Sequence, residues 1–163
     1  MRVDPSMSLR DLLGMAVKAE IESHDIYMRL AEGIQNFILK EKLKFLALEE
    51  KKHQELLEKI FAEQFPQLKL RLPSETLVPV PLLAPEEGIP LSTVLRKAME
   101  AEEEARLFYA DLIPSFREER IKETLKYLSE VEHGHYYQLK GEYEMAEKFE
   151  TYAQYHPMMH IGA

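Results

Sequence analysis

Residues 48–57, LEEKKHQELL, carry a contradiction. They lie in a run in which apolar residues recur at alternating steps of four and three, Leu39, Leu43, Leu46 and then Leu57 and Ile60. That period marks the face a helix turns toward a core. The two slots between Leu46 and Leu57 hold Glu50 and His53, a carboxylate and an imidazole where leucine is expected.

The same interruption recurs further along. A shift of 82 residues lays AVKAEIESHDIY (16–27) on AMEAEEEARLFY (98–109) and LKFLALEEKKH (43–53) on LKYLSEVEHGH (125–135) without a gap, so the two halves read as copies. The later stripe is Ile121, Leu125, Leu128, Glu132, His135, Leu139. Two further stripes each hold one glutamate. The first reads Leu9, Leu13, Ala16, Glu20, Ser23, Tyr27, Leu30, Ile34, and the other Leu91, Leu95, Ala98, Glu102, Ala105, Tyr109, Leu112.

Glycine and proline separate these stripes into four helices. Helix 1 is predicted from Ser8 to Ile34, with Ser8 and Asp11 as a capping pair, and helix 2 from Asn36 to Phe65, ahead of Pro66. Helix 3 is predicted from Ser92 to just before Pro114, and helix 4 from Ser115, with Glu118 as its cap acid. Between the pairs, residues 66–91 hold prolines at 66, 73, 79, 81, 85 and 90 and cannot be helical. At up to ~3.3 Å per residue this stretch can run the length of a bundle. The expectation is therefore an all-α four-helix bundle formed as one domain over 1–163. A hairpin over 8–65 joins one over 92–140 through the crossover 66–91, and 141–163 forms a fifth helix or extends helix 4. Short connections make each hairpin antiparallel, and the long crossover allows helices 2 and 3 to run parallel.

Composition narrows the chemistry. Without cysteine there is no disulfide, zinc ribbon, rubredoxin-type iron centre or thiol nucleophile, so any metal is held by oxygen and nitrogen. A formal charge of −8 argues against a nucleic-acid or anionic-membrane partner. No apolar run approaches the roughly 20 residues a membrane span needs. The first residues, MRVDPSMSLRDLL, lack the apolar segment of a secretion signal, so the expected location is cytoplasmic.

Height along the bundle follows from the turns. Glu20 and Glu50 each lie 15 residues from a turn near residue 35, and Glu102 and Glu132 are symmetric about residue 117, so each pair is level. Four ionised carboxylates in a core would cost several kcal/mol each. Two divalent cations neutralise four glutamates, with the histidines as neutral ligands. One Glu from each of two helices and a Glu-x-x-His from each of the other two is the ligand set of di-iron and di-manganese carboxylate bundles. Oxygen and imidazole donors suit iron and manganese alike, and zinc in a purely structural site.

Through AEIESHDIY, EEKKH, AEEEARLFY and EHGH the chain resembles the rubrerythrin-like branch of the ferritin-like superfamily over roughly residues 8–140. The resemblance implies a ferritin-like bundle in which Glu20, Glu50, His53, Glu102, Glu132 and His135 bind two irons, with Glu50 and Glu132 as bridges. It also implies reaction with hydrogen peroxide or dioxygen. Two departures matter. A chain without cysteine cannot carry the rubredoxin-like domain that rubrerythrins append, so electrons would come from an external donor protein. The extra ligand glutamate that rubrerythrins place three residues beyond the helix-3 ligand is Ala105 here, and both Ala105 and its counterpart Ser23 are small.

The expected function is that of a di-iron oxidoreductase of peroxidase or ferroxidase type, assembled as a homodimer. The alternatives are iron sequestration and a non-catalytic metal-binding bundle. Tyr27 and Tyr109, seven residues after Glu20 and Glu102, either pack the core or hydrogen-bond a ligand carboxylate. Glu130 and His133, which fall off the stripe, read as solvated, His24 as a surface histidine, and His156 and His160 as part of a frayed end.

Overall fold

A computed structural model describes residues 6–75 and 89–155 of the chain. Four helices make up its frame: α1 Leu9–Gly33, α2 Phe37–Gln64, α3 Leu91–Leu112 and α4 Glu119–Tyr155. Ser8 and Asn36 cap α1 and α2, their side-chain oxygens accepting from the amides of Asp11 and Leu39. Each satisfies one of the amides a helix start leaves without a partner.

Helix 4 departs from expectation at its start. Ser115 does not open it. Pro114 has no amide to donate, and Ile113–Ser115 form a short 3₁₀ turn instead. Phe116, in extended backbone, then drops into the end of the bundle, and the first α-helical bonds run to the carbonyl of Glu118. At the other end α4 continues through residues 141–155 without a break, so these residues extend it rather than form a fifth helix. The extension is tied down. Helix α3 begins after Pro90 with no side-chain cap of its own, and the Glu150 carboxylate from α4 accepts from the Ser92 amide at 3.0 Å and from the Ser92 hydroxyl. A carboxylate there also meets the positive end of the α3 dipole.

Each helix packs on its sequence neighbour as an antiparallel hairpin, α1 with α2 and α3 with α4. Contacts between the hairpins give the remaining directions. Tyr27 reaches Glu102 while Tyr109 reaches Glu20, so α1 and α3 are antiparallel. Lys42 pairs with Glu142 and Arg120 with Glu63, so α2 and α4 are antiparallel too. It follows that α2 and α3 run parallel, as the long crossover allows. Among the described residues no helix is long and apolar enough to cross a membrane.

The crossover leaves α2 at Phe65 and passes closely over α1. A Cβ added to Gly14 would lie 2.5 Å from the carbonyl oxygen of Arg71, so only glycine lets the two backbones approach this far. The apolar core is in two layers. One, near the α1–α2 turn, includes Tyr27, Leu30, Leu43, Leu46, Leu95 and Leu139; the other, near the α3–α4 turn, includes Leu13, Leu57, Phe108, Tyr109, Leu125 and Leu128. Between them lies a belt of buried polar side chains.

Candidate metal centre

The belt is made of Glu20, Glu50, His53, Glu102, Glu132 and His135, each at most 4% exposed. All six residues singled out from the sequence meet there. Glu20, Glu50, His53 and Glu132 can offer ligand atoms within 4.8 Å of one another, as can Glu50, Glu102, Glu132 and His135. Glu50 and Glu132 belong to both groups.

The two groups mirror each other. His53 Nδ1 lies 3.2 Å from Glu50 Oε2, 2.8 Å from Glu132 Oε1 and 3.7 Å from Glu20 Oε2. His135 Nδ1 lies 3.2 Å from Glu50 Oε1, 3.1 Å from Glu132 Oε2 and 3.6 Å from Glu102 Oε2. Glu50 and Glu132 thus each turn one oxygen toward each imidazole, the posture of a carboxylate shared between two ions. The imidazoles stack with centroids 5.6 Å apart.

The hydrogen bonding is incomplete in an informative way. Glu50 Oε1, Glu132 Oε1 and both ring nitrogens of His53 are buried without a hydrogen-bond partner. Such atoms cost about 1–3 kcal/mol each when left unsatisfied. His53 Nδ1 is within reach of Glu132 Oε1, but the angle does not suit a proton shared between them. Glu132 Oε1 faces His53 Nδ1 and Glu50 Oε1 faces His135 Nδ1, so a cation in each of the two groups would take up these lone pairs, while His53 Nε2 lies on the other side of its ring. The donor set therefore fits divalent metal.

In the absence of metal, protons carry part of the load. Burial, then the charges of Glu50 and Glu132, holds the Glu20 carboxyl well above the usual carboxylate range, and burial, then Glu50, does the same to Glu102. Burial would also push Glu50 up, but the facing imidazoles of His135 and His53 outweigh it and leave Glu50 below that range. For the imidazoles burial works downward and the facing carboxylates upward; the carboxylates win, raising His53 and pushing His135 up to about 12.

The tyrosines, left open between core packing and hydrogen bonding, are fully buried and do both. Each lies in one of the apolar layers while its hydroxyl donates across the bundle, Tyr27 to Glu102 and Tyr109 to Glu20. Burial, and next the Glu102 charge, raise Tyr27 well above its ordinary value, which keeps the proton on the donor. Spacing along one helix left open which carboxylate each hydroxyl meets. The cross-bundle pairing was missed, and the antiparallel setting of α1 and α3 was the signal that could have found it.

Glu130 is exposed and His133 half-buried, its ring 4.9 Å from Tyr137, so this second Glu-x-x-His stands outside the belt. His24 sits at the surface against Asp25. Ser23 and Ala105 are half-buried beside the belt glutamates, and His156 and His160 lie outside the described residues.

The rubrerythrin family model matches residues 11–143, a span that contains the whole belt. The chain belongs to the rubrerythrin family. No functionally curated protein matches this rubrerythrin-family chain. Among solved structures it is similar to the hypothetical protein Pfu-1136390-001 from Pyrococcus furiosus, at 42% identity and a TM-score of 0.81 over 88% of this chain and 92% of that one. Identity and TM-score at these levels establish the four-helix bundle for this chain as well. The belt is thus a buried carboxylate–histidine cluster able to hold metal in a rubrerythrin-family bundle.

Proposed function

We propose that this protein binds two iron ions in the belt and uses them to reduce hydrogen peroxide or dioxygen, as a cytoplasmic oxidoreductase supplied with electrons by a separate donor protein. Glu20, Glu50, His53 and Glu132 would hold one ion, and Glu50, Glu102, Glu132 and His135 the other. The gathering of buried, unpartnered oxygen and nitrogen atoms into the two donor groups carries this reading. An iron pair supplies one electron from each ion to an O–O bond, chemistry that the side chains alone cannot perform.

The chain's own residues prepare the place. Apolar layers above and below the belt exclude bulk water, which strengthens every charge interaction within it. Tyr27 and Tyr109 hold Glu102 and Glu20 in orientation through hydroxyl hydrogen bonds, so each outer carboxylate keeps a fixed free oxygen. Small side chains at Ser23 and Ala105 leave room beside the glutamates for a diatomic or similarly small oxidant. The whole chain would form one domain, the two hairpins sharing the belt.

The test is anaerobic loading with Fe(II), a count of bound metal per chain, then addition of hydrogen peroxide with and without a chemical reductant. The expected result is about two irons per chain, oxidised by peroxide and turned over when reductant is present. Uptake continuing well beyond about two irons per chain would instead indicate sequestration. An intact helical fold that takes up no stoichiometric iron would overturn the proposal.

A further inference from the structure

We propose that the oxidant reaches the belt through the seam between α1 and α3, at two gaps marked by Ser23 and Ala105. This inference rests on the reading of the belt as an iron site and adds the route into it. Every core-facing stripe position of α2 from Leu39 to Ile60 is buried, and so is every one of α4 from Ile121 to Leu139, ligand residues included. The belt is therefore sealed on that side. On α1 the stripe is buried from Leu13 to Leu30 except at Ser23, and on α3 from Leu95 to Leu112 except at Ala105. These two positions, equivalent in the internal repeat, stay partly open to solvent.

Orientation does not explain the exceptions. At about 100° per residue, Ser23 points within about 20° of Ala16 and of Leu30, and Ala105 within the same angle of Ala98 and of Leu112. All four of those neighbours are at most 3% exposed. Solvent enters where the side chain is small, not where the helix turns outward. The seam concerned is identified by the tyrosines. Ser23 lies between Glu20 and Tyr27 on its helix and Ala105 between Glu102 and Tyr109, and the two hydroxyls cross from α1 to Glu102 and from α3 to Glu20. Helices α1 and α3 are also set more loosely against each other than α2 and α4.

Each gap serves one donor group. The α1–α2 turn and the ion pairs Lys42–Glu142 and Arg120–Glu63 set the heights, which place Ser23 level with about residue 136 of α4, beside His135. The same count places Ala105 level with about residue 54 of α2, beside His53. An imidazole thus closes each group on the α2–α4 side, and a serine or an alanine stands on the α1–α3 side. A molecule the size of peroxide or dioxygen comes to each group from the side away from its histidine. A leucine at either position would fill the gap.

The chain has no cysteine, so one introduced thiol reports on one position. Ser23→Cys, Ala105→Cys and the buried controls Ala16→Cys and Ala98→Cys are each treated, free of metal, with methyl methanethiosulfonate, and modification is followed by mass. A thiol at 16 or 98 reacts only when the bundle opens, so modification at 23 and 105 should be at least about 100-fold faster. In the iron-loaded protein, Ser23→Leu combined with Ala105→Leu should keep about two irons per chain yet slow oxidation by hydrogen peroxide roughly tenfold or more, since filled gaps admit peroxide only when the helices part. If the leucines prevent assembly of the belt, the labelling rates decide. A natural chain that takes up no iron overturns the iron reading and the route with it. A chain that binds iron and reacts with peroxide, yet labels at 23 and 105 no faster than at 16 and 98 or reacts as fast with both gaps filled, overturns the route alone.

Discussion

Loading the belt with two divalent ions should expel protons, and their number follows from the structure. Glu20 and Glu102 are held protonated by burial and by the neighbouring carboxylates, while His53 and His135 are held as imidazolium by the carboxylates they face. All four must give up a proton to act as ligands, which makes about four protons for two ions. Each adds one decade per pH unit to the overall binding constant, about 1.4 kcal/mol. The product of the two metal constants should therefore climb with pH, by up to about four decades per pH unit while all four groups hold their protons in the metal-free protein. The upper limit for His135 lies at about 12. Titration calorimetry with Mn(II), which avoids oxidation, in buffers of different ionisation enthalpy reads the proton count directly. Because the groups share one charge cloud, their titrations overlap and the count will fall somewhat short of four. Release of fewer than about two protons in all, or affinity flat with pH, would refute the account of what neutralises the belt without metal.

Other outcomes follow from particular residues. Glu50→Ala or Glu132→Ala should lose both ions, because each carboxylate serves both groups, whereas Glu20→Ala or Glu102→Ala should retain about one; elemental analysis per chain separates the cases. The metal-free protein should lose stability as pH rises. Glu20 and Glu102 have raised pKa values, so the folded state keeps protons that the unfolded chain sheds above 4.5, and the imidazoles add to this above 6.5, as urea melts across pH would show. Gly14→Ala should cost about 1–3 kcal/mol by urea denaturation, since the methyl meets the Arg71 carbonyl and the crossover must move; an unchanged midpoint would mean that the crossover yields without cost. Glu150→Ala should remove about 1 kcal/mol and speed amide exchange in the first turn of α3, with little change at the belt.

Much of this was legible in the residue order. A period of 3.6, broken at Glu50 and His53 and again at Glu132 and His135, identifies the core-facing stripes and the six belt residues, because a helix carries its i and i+3 side chains on one face whatever surrounds it. Ser8 and Asn36 are local signals acting through local bonds, and they mark the helix starts where the structure has them. Ser115 is the same kind of signal and fails. There the burial of Phe116 and the missing amide of Pro114, rather than the cap, decide how the chain turns.

The remaining features depend on residues far apart in sequence. Tyr27 and Glu102 are 75 residues apart, Tyr109 and Glu20 are 89, and Ser92 and Glu150 are 58; no local pattern announces such partners. Gly14 resembles any helix glycine until the Arg71 carbonyl lies beside it. By itself the sequence determined which side chains face inward and which of them break the apolar stripe, since helical periodicity is a property of consecutive residues. Only the tertiary structure decided which carboxylate faces both histidines, which tyrosine holds which glutamate, and that some buried lone pairs converge unpartnered. Those depend on the distance and angle between helices, which the packing of whole faces sets.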